Sequence, residues 1–359
     1  MPTFGHIVYG LCVLIPILYF ARERFSYKLA FIFLMTNIFG PDITFLFGFI
    51  ETGVHYIIGY IIVSIPLALV FSYISRFKME RSSKGFPLTI MDEGIKEISW
   101  KNAFCASAAG GISHFFIDQM FHRELEMHVF PGIDLQLQDI MEWSGDLYHT
   151  MNPIMVIGEA IVVGMIIFSL FYLRKGYKET FIVFGIGTVL SIVLMLISTE
   201  IYGGEREYAV IFCCVIYFLI PMFLLFYAAR DVLDHPEEAA IPSKIPAKTR
   251  LNIISSISLL LGVIMLAYGV VALTMSDVLV DLIGDSMDVT GTQLEILGIY
   301  YGSISLILVI GSIGLFFKNR ICRYMVIFSS TYFLIFAFPL GIAFFLFEKD
   351  VKALFTKAE

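Results

Sequence analysis

The sequence predicts an all-α polytopic membrane protein with about ten transmembrane helices and both termini outside the cytoplasm. Composition is the first observation behind this class: of the 359 residues, 58% are hydrophobic and only 15% are charged, unlike a soluble globular domain. The second is that apolar residues form continuous runs of roughly 17 to 27 residues, long enough for helices to cross a bilayer. Because these runs do not alternate with polar residues, a transmembrane β-barrel is excluded.

Ten apolar segments account for most of the chain, and each could cross the membrane with some tilt. The first segment lacks the basic start and the cleavage site of a signal peptide, so we expect it to be retained. We divide the chain into two helical halves, 1–173 and 174–359, with the proline-containing stretch 231–249 as a cytoplasmic linker. The predicted segments are 5–21, 27–50, 53–75, 99–121, 150–173, 180–203, 207–230, 250–275, 292–317 and 321–347.

Charged residues alternate between the two sides of the predicted bundle. Basic residues follow each odd-numbered segment, whereas the opposite loops are acidic. Cytoplasmic loops of membrane proteins are enriched in Lys and Arg, so we expect an integral protein of the plasma membrane with these basic loops inside. One of them, 76–98, is expected to hold a short surface helix. Clear examples are Arg76, Lys78, Arg81 and Lys84 on the basic side and Asp277, Asp281, Asp285 and Asp288 on the acidic side.

The charge and the cysteines exclude other classes of protein. The formal net charge is −7 and no basic tract is present, so nucleic acid is not an expected partner. The 5 cysteines lie in or beside apolar runs, and an odd number inside helices argues against a disulfide framework. Membrane lipids are the expected surroundings.

The stretch from Gly110 to His128 carries the strongest functional signal. It begins as a small-residue helix and ends in groups that bind metals or move protons. His114, Asp118 and His122 are four residues apart, so they lie along one helical face, where imidazole and carboxylate groups can share one cation. The alternative is a set of polar helix-end groups solvated at the membrane surface.

Other histidines and acids collect on the same side of the membrane. Of the 7 histidines, all but His235 fall at the predicted outer face within the first five segments. Ionisable groups inside a membrane are costly and are usually functional. Mixed imidazole and carboxylate donors suit zinc, or iron and manganese when carboxylates predominate. The candidate metal ligands are His6, Asp42, His55, His114, Asp118, Asp146 and His149, with His122, Glu124 and His128 as further candidates.

Two acids are candidates for catalysis as well. Gly40 and Pro41 interrupt the second segment, because proline lacks the N–H that a helix needs. Asp42, which follows them, is either the N-cap of the helix that resumes or a metal ligand that also orients water. Glu159 either pairs with another helix or accepts a proton during the reaction. His6 and His55 have their own alternative, as interfacial residues that bind nothing.

The order of these residues resembles that of the membrane-bound metal-dependent hydrolases, a group of inner-membrane enzymes. The resemblance covers residues 1–155 and leaves the last five segments unexplained. That family is in turn similar to the zinc-dependent phospholipase C and single-strand nuclease fold, which is a helical phosphodiesterase. The matching motifs are His6 in Pro-Thr-Phe-Gly-His, then Pro41-Asp42, then His55, then Gly111-Ile-Ser-His114-Phe-Phe-Ile-Asp118.

The resemblance implies metal-assisted hydrolysis of a phosphate ester with one or two divalent ions, most simply Zn²⁺. It implies that Asp42 bridges the ions or orients the attacking water. In the soluble zinc enzymes a later histidine is followed four residues on by an acid, whereas here Pro153 stands four residues after His149, and Asp146 takes the acid's place. The ligands implied are His6, His55, His114 and Asp118, completed by His149 and Asp146.

A site at the outer interface suggests a lipid headgroup as substrate, and therefore a phospholipase C-like or lipid phosphatase activity. A second hypothesis is a cation transporter or channel with an outward-facing His/Asp site, since broken helices line the binding sites of transporters. A third is a structural membrane scaffold with incidental histidines.

Overall fold

The computed structural model describes residues 3–40, 57–81, 88–121, 164, 166–202, 215–235, 238–239, 243–283, 290–332 and 337–355. Within these ranges the chain is predominantly helical. In chain order its elements are α1 (Thr3–Ala21), α2 (Tyr27–Phe39), α3 (Ile57–Ile74), β1 (Phe77–Arg81), β2 (Leu88–Asp92), β3 (Ile95–Lys96), α4 (Trp100–Phe121), α5 (Tyr177–Tyr202), α6 (Ile220–Asp234), β4 (Glu238–Ala239), α7 (Ala247–Thr274), α8 (Ser276–Ile283), α9 (Gly291–Phe316), α10 (Arg320–Tyr332), α11 (Ala337–Phe345) and α12 (Lys349–Ala353).

Four of the described helices are long and apolar enough to cross a membrane: Gly5–Arg24, Ile57–Ile74, Ala247–Thr274 and Gly291–Phe316. Their outward surfaces are apolar, since Ile62, Leu260 and Ile296 are each exposed over more than 60% of their area. Side chains of this kind favour hydrocarbon over water. These helices confirm the predicted helical class and its membrane-type segments, whereas ten spans and the positions of the termini stay predictions.

Several predicted segment boundaries agree with the helices to within a few residues. The predicted segment 250–275 corresponds to α7, 292–317 to α9 and 99–121 to α4. The predicted interruption at Gly40–Pro41 corresponds to the end of α2, which stops at Phe39 with Gly40 as its C-cap.

Two segments differ from prediction. The connector 76–98 contains no surface helix in its described part; β1 and β2 form an antiparallel hairpin that pairs Phe77 with Asp92 and Arg81 with Leu88. Segment 321–347 is not one straight helix: it contains α10 (Arg320–Tyr332) and α11 (Ala337–Phe345), and Arg323 near the start of α10 donates to the Leu346 carbonyl just after α11.

The chain divides into two compact units. One comprises Met1–Ser72 with Glu97–Glu238, and the other comprises Tyr73–Lys96 with Ala239–Glu359. α6 packs along α4 and belongs to the first unit; one such contact is the hydrogen bond from Asn102 Nδ2 to Asp231 Oδ2, 3.0 Å long. The predicted halves 1–173 and 174–359 stay a prediction. The boundary between Glu238 and Ala239 lies inside the stretch predicted as a linker.

In the second unit, α7 and α9 pack with their backbones in close contact at small residues. A Cβ added to Gly269 would lie 2.8 Å from the Cα of Gly302, and one added to Gly262 would lie 2.9 Å from Val309. Small residues permit this approach between helices, which is a common mode of packing in membranes.

A network of charges joins the β1–β2 hairpin of the second unit to its C-terminal segment. Arg76 binds Asp92 through two hydrogen bonds of 2.8 and 2.6 Å. Glu348 accepts hydrogen bonds from Tyr73 at 2.7 Å, from Arg76 at 3.4 Å and from Arg250. Burial opposes the charge of Arg76, but Asp92 and Glu348 outweigh that effect and raise the pKa of its guanidinium above the ordinary value. Arg76 therefore stays charged throughout the physiological range.

We expect Glu348→Ala to lower the free energy of unfolding by about 3 kcal/mol, because it removes the buried carboxylate that accepts hydrogen bonds from Tyr73, Arg76 and Arg250. The Glu348 side chain is only 4% exposed, and those of Arg76 and Arg250 are 18% and 16% exposed. Thermal unfolding in detergent measures the effect. Asp350→Ala is the matched control: Asp350 also binds Arg250 but its side chain is 55% exposed, so its loss should cost about 1 kcal/mol or less. Equal losses in both variants would contradict the role of burial.

Candidate functional site

Three helices of the first unit, α1, α2 and α4, bring two predicted ligands together. His6 lies near the start of α1 and His114 near the end of α4, and both are 0% exposed. Their rings stack face to face, with centroids 3.8 Å apart and an interplanar angle of 0°. The chain therefore joins two imidazoles that are far apart in sequence at one buried position.

The orientation of His114 is set by α2. Its Nδ1 lies 2.7 Å from the backbone carbonyl oxygen of Asn37. A carbonyl only accepts hydrogen bonds, so Nδ1 must be the protonated nitrogen that donates this bond. In the neutral ring, Nε2 then carries the lone pair, which is the form of histidine that binds metals.

The Asn37 carbonyl is available to His114 because α2 ends where it does. The last intrahelical bond runs from the Gly40 N–H to the Thr36 carbonyl, 2.9 Å long. The next carbonyl, that of Asn37, would ordinarily receive the N–H of residue 41, but residue 41 is proline and has none. The Gly40-Pro41 pair noticed in the sequence thus leaves a backbone acceptor for the buried imidazole.

Two adjacent glycines of α4 allow it to approach α2 and α3 this closely. A Cβ on Gly110 would lie 2.1 Å from Thr36 Oγ1 and 2.5 Å from the Phe33 carbonyl oxygen. A Cβ on Gly111 would lie 1.8 Å from a ring carbon of Tyr60, which is fully buried on α3. No side chain larger than hydrogen fits at either position, and His114 follows one turn later on the same helix.

The side chain of Asn37 also lies in the interior between these helices. Its Nδ2 is 3.5 Å from the Gly110 carbonyl oxygen, at the limit of a hydrogen bond. Its Oδ1 is buried and has no hydrogen-bond partner among the described residues. This amide oxygen lies 2.7 Å from where a Cβ on Gly10 of α1 would stand, so it adds polarity to the interior between α1 and α2.

The remaining predicted site residues lie outside the part of the chain that the structure describes, with one exception. Asp118 belongs to the last turn of α4, although its side chain is not among those described. His235, the histidine predicted to lie apart, is at the exposed end of α6 with Asp231 as neighbour. Those outside the described residues are Asp42, His55, His122, Glu124, His128, Asp146, His149 and Glu159.

The sequence analysis did not identify Asn37 or the other buried polar residues of α2, α3 and α4. Thr36, Tyr60, Ser64 and Ser107 are all buried in the same helices. A signal was present, because Asn37 stands four residues before a proline in an apolar run and its carbonyl therefore lacks a helical partner.

His114 fits a divalent metal chemically, whereas the parallel rings of His6 and His114 could not both direct their in-plane lone pairs at one ion. A metal-bound histidine usually donates its other ring N–H to a carbonyl or carboxylate, and His114 makes such a bond to Asn37. Within the described residues no group of three or more His, Cys, Asp or Glu side chains surrounds a common point. His6 and His114 would thus supply part of a ligand set.

Searches of protein-family models, curated proteins and solved structures found no match to this chain.

Proposed function

We propose that the chain is a polytopic membrane protein that hydrolyses a phosphate ester, most simply a lipid headgroup, at the outer face of the plasma membrane with the aid of bound Zn²⁺. The observation that carries the proposal is the buried stack of His6 on His114, with Nδ1 of His114 donating to Asn37. Buried imidazoles from distant helices are costly inside a membrane unless they serve a function. The resemblance of the surrounding motifs to metal-dependent hydrolases supports the choice of reaction.

In this mechanism His6 and His114 would be metal ligands, each of a separate ion because their rings are parallel, and Asp118, His55, Asp146 and His149 would complete the ligand sets. When bound, zinc supplies a water of lowered pKa and polarises the phosphoryl oxygen. Asn37 keeps His114 in the tautomer whose Nε2 carries the lone pair that would bind a metal. Asp42 orients the attacking water, and Glu159 accepts its proton. The apolar helix packing around the stack excludes bulk water from the donors.

The activity is tested with purified protein in mixed micelles that contain phospholipids with labelled headgroups. We expect release of the headgroup, loss of release with a chelator and recovery with added Zn²⁺. Asp118→Ala should abolish both bound metal and release. Intact lipid in the presence of a metal-loaded, folded protein would refute the hydrolase.

Pro41→Ala tests the positioning of His114 separately from catalysis. Alanine supplies an N–H that competes with His114 for the Asn37 carbonyl, so we expect zinc affinity to fall by about 10-fold or more, as is usual when the hydrogen bond that orients a metal-binding histidine is lost. Chelator competition measures the affinity, and ¹⁵N NMR of labelled histidine reports the His114 tautomer. Pro66→Ala is the control, because Pro66 lies inside α3, away from the stack. An unchanged tautomer and affinity in Pro41→Ala would contradict the assignment.

A second candidate, a cation transporter with its site at the outer face, is favoured by one observation. A helix that ends inside an apolar segment and offers its terminal carbonyl to a side chain resembles the interrupted helices that line transporter sites. Uptake of labelled zinc into vesicles that contain the purified protein, without headgroup release, would favour transport over hydrolysis.

A further inference from the structure

We propose that residues 320–347 form a re-entrant helical hairpin, which enters the membrane from the basic side and returns to it. The C-terminal segment then lies on the same side as the loop after α3. This proposal rests on the membrane placement in the proposed function but not on hydrolysis. It replaces the tenth predicted span and reverses the predicted side of the C-terminus.

The lengths of the two helices are the first argument. The described residues of α10 number 13 and those of α11 number 9, which correspond to about 20 Å and 14 Å at about 1.5 Å per residue. Neither crosses a hydrocarbon layer of about 30 Å. α7 and α9 in the same unit have 28 and 26 residues, about 42 Å and 39 Å, and are long enough.

The two ends of the hairpin are in contact. Arg323, near the start of α10, donates from Nε and Nη2 to the carbonyl oxygen of Leu346, just after α11, at 3.1 and 2.9 Å. A single span would separate these residues by the thickness of the bilayer. Arg323 is 4% exposed and also packs on the rings of Phe347 and Phe355, so the closed end is a built contact.

The closed end of the hairpin also lies beside the basic end of the helices in this unit. Gly314 near the end of α9 packs against Cys322 of α10, so α10 runs back along α9. Glu348, two residues after Leu346, binds Arg250 near the start of α7 and Arg76 after α3. The segment that contains Arg76, the start of α7 and the ends of α9 and α11 therefore gather at one end of this unit, among the arginines that predict the cytoplasmic side.

The exposed face of α10 is consistent with entry into lipid. Ile321, Tyr324 and Phe328 are exposed by 71%, 50% and 50%, whereas Arg323 and Ser329 are turned inward and buried. An apolar outer face and a polar inner face fit a hairpin that lies against the bundle and is surrounded by acyl chains.

Cysteine labelling on whole cells tests the topology. Single cysteines are placed in a chain without its native cysteines at Lys352 in α12, at Lys78 in β1 and at Asp277 in α8, all of which are exposed. With a membrane-impermeant maleimide we expect Asp277→Cys to label on intact cells, and Lys78→Cys and Lys352→Cys to label only after permeabilisation. Labelling of Lys352→Cys together with Asp277→Cys on intact cells would overturn the hairpin.

The result separates failure of the hairpin from failure of the membrane placement. If the chain did not span the membrane, Asp277→Cys and Lys78→Cys would behave alike, before and after permeabilisation. Should the cysteine-free chain not fold, an epitope at the C-terminus of the wild-type chain serves instead. We expect an antibody to bind it only in inside-out vesicles, and binding in right-side-out vesicles alone would overturn the proposal.

Discussion

Replacing Gly111 with alanine should lower the free energy of unfolding by about 3 kcal/mol, at the upper end of what overpacking costs. The added methyl group would lie 1.8 Å from the Tyr60 ring, which is fully buried and has no space to move into. Separation of α4 from α3 would relieve the clash, and it would also carry His114 away from His6. We therefore expect the variant to lose bound metal as well as stability, both measured in detergent by thermal unfolding and elemental analysis.

Gly185→Ala is the matched control for this variant. Gly185 lies in α5, and a Cβ added there would meet nothing within 4 Å. Alanine also favours helix over glycine by about 1 kcal/mol, so this variant should be as stable as the wild type or slightly more stable. A Gly111→Ala protein with wild-type stability would show that α3 and α4 are farther apart than the structure has them.

Replacing His114 with alanine should remove the bound metal and the headgroup release together. Loss of a direct ligand should weaken zinc binding by more than the roughly 10- to 100-fold that follows from changing a residue that hydrogen-bonds to a ligand. The substitution also leaves the Asn37 carbonyl without its imidazole donor, so a modest loss of stability is expected, about 1 kcal/mol. Zinc titration and the headgroup assay measure the two functions.

His235→Ala separates a specific effect from a general loss of histidine. His235 stands at the end of α6 and its side chain is 78% exposed, so its removal should change neither metal content nor release. His6→Ala should behave like His114→Ala, because the two rings stack. If His6→Ala and His114→Ala both kept full metal content, the stack would be only a packing feature.

The helices themselves follow from hydropathy. α7 and α9 were predictable to within a few residues because long apolar runs in a membrane protein have few other ways to satisfy their backbone. The end of α2 at Phe39 was predictable for a different reason, since Pro41 removes a helical hydrogen bond wherever it stands.

The sequence indicates that the Asn37 carbonyl lacks a helical donor, but it does not indicate which group supplies one. Nothing in the residue type predicts that its backbone carbonyl receives His114, because that depends on how closely α2 and α4 approach. Gly110 and Gly111 set the distance, and glycine pairs are too common in apolar helices to identify a site alone.

Segment 321–347 shows the limit of hydropathy. Its apolar residues satisfy the length of a span, and the same residues serve equally well in a hairpin that returns. The hydrogen bond from Arg323 to the Leu346 carbonyl distinguishes the hairpin from a span, and it depends on tertiary packing that hydropathy does not report. A sequence signal for the hairpin was present, since Lys349 and Lys352 follow the segment and basic residues favour the cytoplasmic side.

The most direct test is X-ray absorption at the zinc edge of the purified wild-type chain, with the zinc content of the same sample. Zinc present in a ratio of at least one per chain, with nitrogen donors at about 2.0–2.1 Å, is the predicted result. A folded protein without metal after purification in zinc, or one whose zinc has only oxygen neighbours, would contradict a site built on the His6–His114 stack.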